Sequence, residues 1–277
     1  MSFDTPYLDP RLPALWRTPG TLQVGLDPAR AVALCGASRE LPGLLARLDG
    51  TPTTGVQALA RRQDRLDELT RAVALLAASG LVREADPRLR REQSWVEVVG
   101  DGPLAVAVAA GLRQSGVGRC SRATQPTVPG PDLVVVAPAC ARAMAFSDPL
   151  VASGTPHLWS YVRDGRAVVG PLVIPGETSC LRCHDLHRTD SDPAWPQLVL
   201  AWEQSRPPRA SAATEALLGA LVVRQCVIRV QDGRPATLGA TLEEQADGVM
   251  DRRRWPAHPA CGCCWSGAPR SSTPAVE

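Results

Sequence analysis

Trp95-Val-Glu-Val-Val-Gly100-Asp-Gly102-Pro-Leu-Ala105, continued by Val106-Ala-Val-Ala-Ala-Gly-Leu-Arg-Gln-Ser115, is the stretch on which the fold turns. An apolar run, Trp95 to Val99, enters two closely spaced glycines and leaves them as an alanine-rich helix from Pro103 to about Ser115. That is a strand, a tight turn and a helix. Gly116 to Gly118 ends the helix, Arg119 to Thr124 supplies a second strand, and Asp132 to Val136 is a continuous Leu/Val run of the kind buried on both faces of a sheet. A helix is expected from Ala139 to Ser153. Strands that alternate with helices imply a parallel sheet.

Working outward, the pattern changes at His157. Leu158 to Val162 and Ala167 to Ile174 flank Arg163-Asp164-Gly165-Arg166, and Asp-Gly between two apolar runs signals a hairpin, so the sheet becomes mixed. A long helix follows from Ser211 to Gln231, capped near Ser211 or Thr214, and Thr237 to Leu242 reads as an edge strand. The expected class is therefore α/β, a Rossmann-like mixed sheet. Upstream, residues 1–92 form a small α+β unit with extended pieces at Leu12 to Trp16, Thr21 to Val24 and Ala31 to Cys35. Three helices follow, at Ser38 to Leu48, Thr54 to Arg61 and Asp64 to Ser79. Asp86 to Gln93, with five charges and a proline, reads as a linker. The domains expected are 1–92, 93–265 and a disordered polar tail, 266–277.

Gly100, Gly102 and Ala105 fit the nucleotide-binding pattern G-x-G-x-x-G/A in its proper setting, after a strand and at a helix start whose free amides favour phosphate. The acidic residue that would hold a ribose after the second strand is missing from Arg119 to Pro126, and Asp132 is the first acid beyond it.

Composition narrows the chemistry. The chain has 277 residues and a formal charge of +2 from 30 basic and 28 acidic side chains; every basic one is arginine. Mechanisms that need a lysine on a phosphate or in a Schiff base are excluded for this chain alone. The balanced charge implies no nucleic-acid partner. Arg61, Arg62, Arg65 and Arg71 interleave with Asp64, Asp67 and Glu68, which describes a solvated helix face rather than a phosphate-binding one. No run approaches the roughly 20 apolar residues of a membrane helix, and the first ten residues lack a signal-peptide pattern, so the expected location is the cytoplasm with no membrane contact.

Nine cysteines, unevenly spaced, fit a metal site better than a disulfide framework. Cys180-Leu-Arg-Cys183 and the distant Cys261-Gly-Cys263-Cys264 are two knuckles that together offer a four-thiolate site for one structural Zn2+. The second pair is open: Cys261 with Cys264 keeps the usual spacing, and Cys263 is the alternative fourth ligand. His184, His187 and His258 are near enough in sequence to compete as ligands or to support them. Four thiolates leave no coordination position for water, so the site is structural rather than catalytic. Cys35, Cys120, Cys140 and Cys226 stand singly and read as small buried apolar residues.

The glycine turn, the helix ending Ser115-Gly-Val-Gly118 and the paired knuckles resemble the E1-like (ThiF/MoeB-type) adenylyltransferase superfamily over residues 94–265. Gly170-Pro-Leu-Val-Ile-Pro-Gly176, Cys180-Leu-Arg-Cys183-His-Asp-Leu-His187 and Asp192-Pro-Ala-Trp195 are similar to the E1-like leader-peptide-binding partner proteins of thiazole/oxazole-modified microcin, or cyclodehydratase, biosynthesis. The N-terminal unit is similar to the winged-helix recognition element of such bacteriocin pathways. The resemblance implies a noncatalytic component that binds a precursor (leader) peptide and docks a partner cyclodehydratase, with a homodimer as the common assembly. The peptide would lie as a strand beside Ala31, Val32, Ala33 and Leu34, with side chains on Leu69 and Val73. Active superfamily members hold ATP and Mg2+ with a lysine and aspartates; here no lysine exists, and Val136-Ala-Pro138 stands where an aspartate belongs. The alternative is an ATP-dependent adenylyltransferase that activates a C-terminal carboxylate, using Arg113, Arg119, Arg122 or Arg142 in place of lysine.

Overall fold

The computed structural model describes residues 4–128, 130–137, 144–204 and 210–263. The chain divides into two compact units, Met1–Leu89 and Arg90–Glu277.

In the first unit, β1 (Pro6–Leu8) pairs antiparallel with β5 (Val82–Glu84), two short strands that sequence periodicity does not reveal. The strands β2 (Ala14–Thr18), β3 (Thr21–Val24) and β4 (Val32–Cys35) form an antiparallel sheet in that order. The helices are α1 (Leu41–Leu45), α2 (Thr54–Arg62) and α3 (Leu66–Ala78). Leu69, Ala72 and Leu76 recur at helical spacing on α3 and meet Leu22, Val24 and Leu34 of the sheet together with Leu41, Leu44 and Leu45 of α1. The first turn of α3 carries Asp67 and Glu68, which suits the positive end of the helix dipole.

The expected linker is instead a helix, α4 (Pro87–Gln93), which spans the division between the units. Its proline occupies the helix start, where the missing amide hydrogen costs nothing, and Asp86 accepts from the Arg88 backbone amide at 2.8 Å and from Arg88 Nε at 2.6 Å.

The second unit carries β6 (Trp95–Val99), α5 (Pro103–Gln114), β7 (Arg119–Ala123) and β8 (Leu133–Val136). A 3-10 turn, Met144–Phe146, runs into α6 (Ser147–Ala152), the described part of the helix expected from Ala139; residues 138–143 lie outside the described set. Then come β9 (His157–Arg163), β10 (Arg166–Val173), α7 (Leu181–Ser191), α8 (Trp195–Glu203), α9 (Ala212–Val230), β11 (Ala240–Glu244) and β12 (Met250–Arg254). The seven-stranded sheet is ordered β12-β11-β10-β9-β8-β6-β7, with β7, β6, β8 and β9 parallel and the remaining neighbours antiparallel.

Alternation of side chains along the strands divides the core into two layers. Val96, Val98, Leu133, Val135 and Leu158 face α5 and α9, against Val108, Leu112, Leu218 and Val222. Val99, Val134, Val136, Trp159 and Val173 face the other way, against Leu150 of α6 and Leu181, Cys180 and Cys183 around α7. At the hairpin, Asp164 and Gly165 both take positive φ, 53° and 75°, as an Asp-Gly turn between twisted strands requires. Ser211 caps α9 through its Oγ, which accepts from the Thr214 amide at 3.1 Å.

A further expectation is corrected. The strand near Thr237 to Leu242 is interior, β11 lying between β10 and β12; the edge is β12, whose Asp251, Arg252, Arg253 and Arg254 are exposed and mask its strand character. Periodicity does not reveal α7, which buries His184 and Arg188 beside Leu181 and Cys183, where an apolar stripe would normally mark a helix.

Candidate functional site

Cys180 is the N-cap of α7, Cys183 sits in the helix's first turn, and both are buried. The chain returns through β12 to bring Cys261 and Cys263 against them. Sγ distances are 3.9 Å for Cys180 to Cys183, 3.4 Å for Cys180 to Cys261 and 3.4 Å for Cys183 to Cys263. All four sulfurs lie within 4.8 Å of one another. Thiolates about 2.3 Å from a shared zinc in a tetrahedron would stand about 3.8 Å apart, so the group fits one ion with small adjustments. Among the described residues, Cys263 is the fourth member; Cys264, expected in that role, lies outside them.

Protonation in the cluster is uneven. The hydrogen bond from Cys180 pushes Cys183 down to about 4, assisted by the backbone amide of His258, while that same bond and burial push Cys180 up. Burial raises Cys261 to about 11. Four sulfurs this close cannot all ionise without a cation, and a bound metal would displace the remaining protons.

Among the described residues, the four-sulfur group includes no histidine. His184 is fully buried, stacked on Trp255 with ring centroids 4.5 Å apart, and its Nε2 lies 3.4 Å from Ser179 Oγ, which donates to the Trp255 carbonyl at 2.6 Å. Trp255 Nε1 donates to Thr241 Oγ1, which donates to Glu243, and Glu243 accepts from Arg163 at 2.6 Å. Although burial opposes it, these donors and the Arg163 and Arg188 charges hold the Glu243 carboxyl below its ordinary range. His187 and His258 lie with Asp190 in a second cluster beside the cysteines. Neither Trp255 nor Asp190 carries a spacing signal that would have singled it out.

The glycine turn has a structural explanation. Gly100 has φ 149°, and a Cβ there would lie 2.0 Å from the Ala137 carbonyl oxygen and 3.2 Å from Ala105 Cβ. Gly102 is the extended N-cap of α5, and Ala105 is fully buried. Of the arginines considered for phosphate, Arg113 is in the last turn of α5 and Arg119 stacks at 3.7 Å over Trp95, at the start of β6. Both belong to the end of the sheet opposite the glycine turn. Arg122 pairs with Val98 near the glycine end, and Arg142 lies outside the described residues.

In the N-terminal unit, β4 is an edge strand, hydrogen-bonded to β3 alone among the described residues. Leu34 and Leu69 are 4% and 3% exposed, so both close the core; Ala31, Val32 and Val73 are half-buried, and Ala33 is exposed. Cys35 is exposed rather than buried, Cys120 is half-buried, Cys226 is buried, and Cys140 lies outside the described residues. A cleft of about 420 Å³ opens beyond the end of β4, between Gly36 and Arg61, Arg65, Glu68 and Arg71.

No family model matches this chain, and no curated protein matches it by sequence. Among solved structures, the heterocyclase TruD matches with a TM-score of 0.66 and 16% identity, covering 94% of this chain and 42% of that one. A heterocyclase in complex with substrate and cofactor gives a TM-score of 0.67, 15% identity and coverage of 94% and 39%. The microcin C7 biosynthetic enzyme MccB in complex with N-formylated MccA gives 0.59, 14%, 94% and 99%. The chain thus spans about two fifths of the heterocyclase chains it matches, and nearly all of MccB. At these identities the likeness establishes the fold, an α/β architecture with a mixed seven-stranded sheet.

Proposed function

We propose that this chain is a noncatalytic E1-like component of ribosomal peptide biosynthesis. Its N-terminal winged-helix-type unit takes a precursor peptide as an added strand on β4, and its second unit, stapled by one structural zinc ion, docks a cyclodehydratase-type enzyme. The observation that carries this reading is the outer edge of β4 beside α3, unpaired among the described residues, where main-chain groups supply affinity and alternate side chains of an added strand rest on Val32 and Val73. The solved neighbours support it, since they include a heterocyclase with substrate and MccB with the MccA peptide. Cyclodehydration itself is assigned to a partner polypeptide, corresponding to heterocyclase length outside the two fifths that this chain matches.

Tetrahedral sulfur ligation favours zinc, which would tie β12 and the segment after it to α7 and add to folding free energy. The chain's own residues do the rest: edge amides and carbonyls bind, α3 positions, and no group is assigned a proton transfer. The test is fluorescence anisotropy of a labelled precursor peptide, encoded beside the gene, titrated with the full zinc-loaded chain. Saturable binding carried by the leader portion is expected. Absence of binding to that peptide and to its leader alone overturns the reading.

The glycine turn before α5 keeps the second reading, an ATP-dependent adenylyltransferase, in competition. Calorimetric titration of Mg2+-ATP separates the two. No heat up to millimolar nucleotide is expected, because lysine is absent and Arg113 and Arg119 lie at the wrong end of the sheet, which leaves Arg122 as the one named arginine near the glycine turn among the described residues.

A further inference from the structure

His187, Asp190 and His258 bring three potential ligand atoms within 4.8 Å of one another beside the four cysteines. Their hydrogen bonds decide what they do. The Ala260 amide donates to His258 Nδ1 at 3.1 Å, so that nitrogen bears no proton and the neutral ring carries it on Nε2, which donates to Asp190 Oδ2 at 2.9 Å. A cation on Nε2 would have to expel this proton while the Ala260 amide still claimed the other nitrogen. His187 Nε2 donates to the Pro256 carbonyl at 3.0 Å. The His258 carbonyl accepts from the Cys261 amide at 3.0 Å. Both ring nitrogens and the carbonyl of His258 are thus engaged with α7 or with the loop that delivers the second pair of cysteines.

We propose that Asp190 and His258 are positioning residues of the metal centre: a hydrogen-bonded latch, anchored about two turns beyond the knuckle on α7, that holds residues 256–261 so that Cys261 and Cys263 meet Cys180 and Cys183. His187 fastens the start of the same loop at Pro256. The latch rests on the metal reading above and deepens it: with the loop held in place, a bound ion would leave slowly. Ligand-supporting hydrogen bonds of this kind change metal affinity by roughly 10–100-fold when removed.

The experiment follows release of zinc from the full, zinc-loaded chain to a chromophoric chelator. Asp190→Ala and His258→Ala are expected to release zinc roughly 10–100-fold faster at an unchanged ratio of one ion per chain. Asp190→Asn, whose amide oxygen still accepts from Nε2, is expected to stay close to the parent rate. Unaltered release in both alanine variants overturns the latch. So does a second bound ion that Asp190→Asn loses, which would make the cluster a cation site. A parent chain that takes up neither zinc nor cobalt defeats the metal reading instead. The latch is then read from hydrogen exchange at the Ala260 and Cys261 amides, expected to accelerate in Asp190→Ala; equal exchange in parent and variant overturns it there too.

Discussion

The two candidate surfaces are built by opposite means. On the N-terminal unit, the offered feature is a length of backbone: β4 ends a three-stranded sheet, and its side chains serve mainly the core beneath, with Leu34 packed against Leu69 and its neighbours. On the C-terminal unit, the feature is a convergence of side chains, sulfurs from α7 and from the segment after β12, held by an aromatic and hydrogen-bonded frame around Trp255. A backbone edge tolerates most substitutions that preserve the strand, whereas a four-sulfur cluster tolerates almost none. The two surfaces therefore differ in how they should fail.

The largest effect should come from the cluster. Removing the metal by chelation, or Cys180→Ser, is expected to cost several kcal/mol, lowering the melting temperature of the second unit by roughly 10 °C or more, with the first unit's transition unmoved. Calorimetry with both transitions resolved checks this, and equal shifts in the two units would erase the contrast.

A smaller effect belongs to His157. It is fully buried on β9, its Nδ1 bonded to the Thr155 carbonyl at 2.9 Å, and burial pushes its pKa down to about 4. A folded value below the unfolded one means that stability is complete above pH 6.5 and is lost as pH falls from there towards 4, where the unfolded chain takes up a proton that the folded chain refuses. About 3 kcal/mol is at stake across that window. Denaturant melts of the parent and of His157→Gln as a function of pH should diverge in it; parallel curves would show that the histidine does not titrate on unfolding.

The mildest change should be the most telling for function. Ala33→Pro removes a main-chain donor from the exposed edge strand and is expected to weaken peptide binding at least tenfold, about 1.4 kcal/mol, while zinc content stays unchanged. Equal affinity in anisotropy would place the peptide elsewhere.

Gly100→Ala sharpens the comparison from another side. A Cβ there meets the Ala137 carbonyl at 2.0 Å, so destabilisation is expected with or without nucleotide present. Rescue of its melting temperature by Mg2+-ATP would instead tie that glycine to a ligand.

Local chemistry made most of the sheet legible. The Leu/Val run of β8 told of burial on both faces, Asp164-Gly165 told of a hairpin, and Cys180-Leu-Arg-Cys183 told of half a metal site, because periodicity, turn geometry and ligand spacing act over a few residues. Long-range pairing decided the rest. That β11 is interior and β12 is the edge depends on a register between strands, which an arginine-rich sequence conceals. That Pro87 starts a helix instead of breaking the chain depends on the Asp86 carboxylate reaching Arg88. The sequence by itself determined an α/β chain with two thiolate knuckles and no lysine for phosphate chemistry. Only the tertiary structure brought Cys263 to the first knuckle, put Trp255 against His184 and closed Asp190 on His258, because contacts between segments some seventy to eighty residues apart are set by packing and leave no local pattern to read.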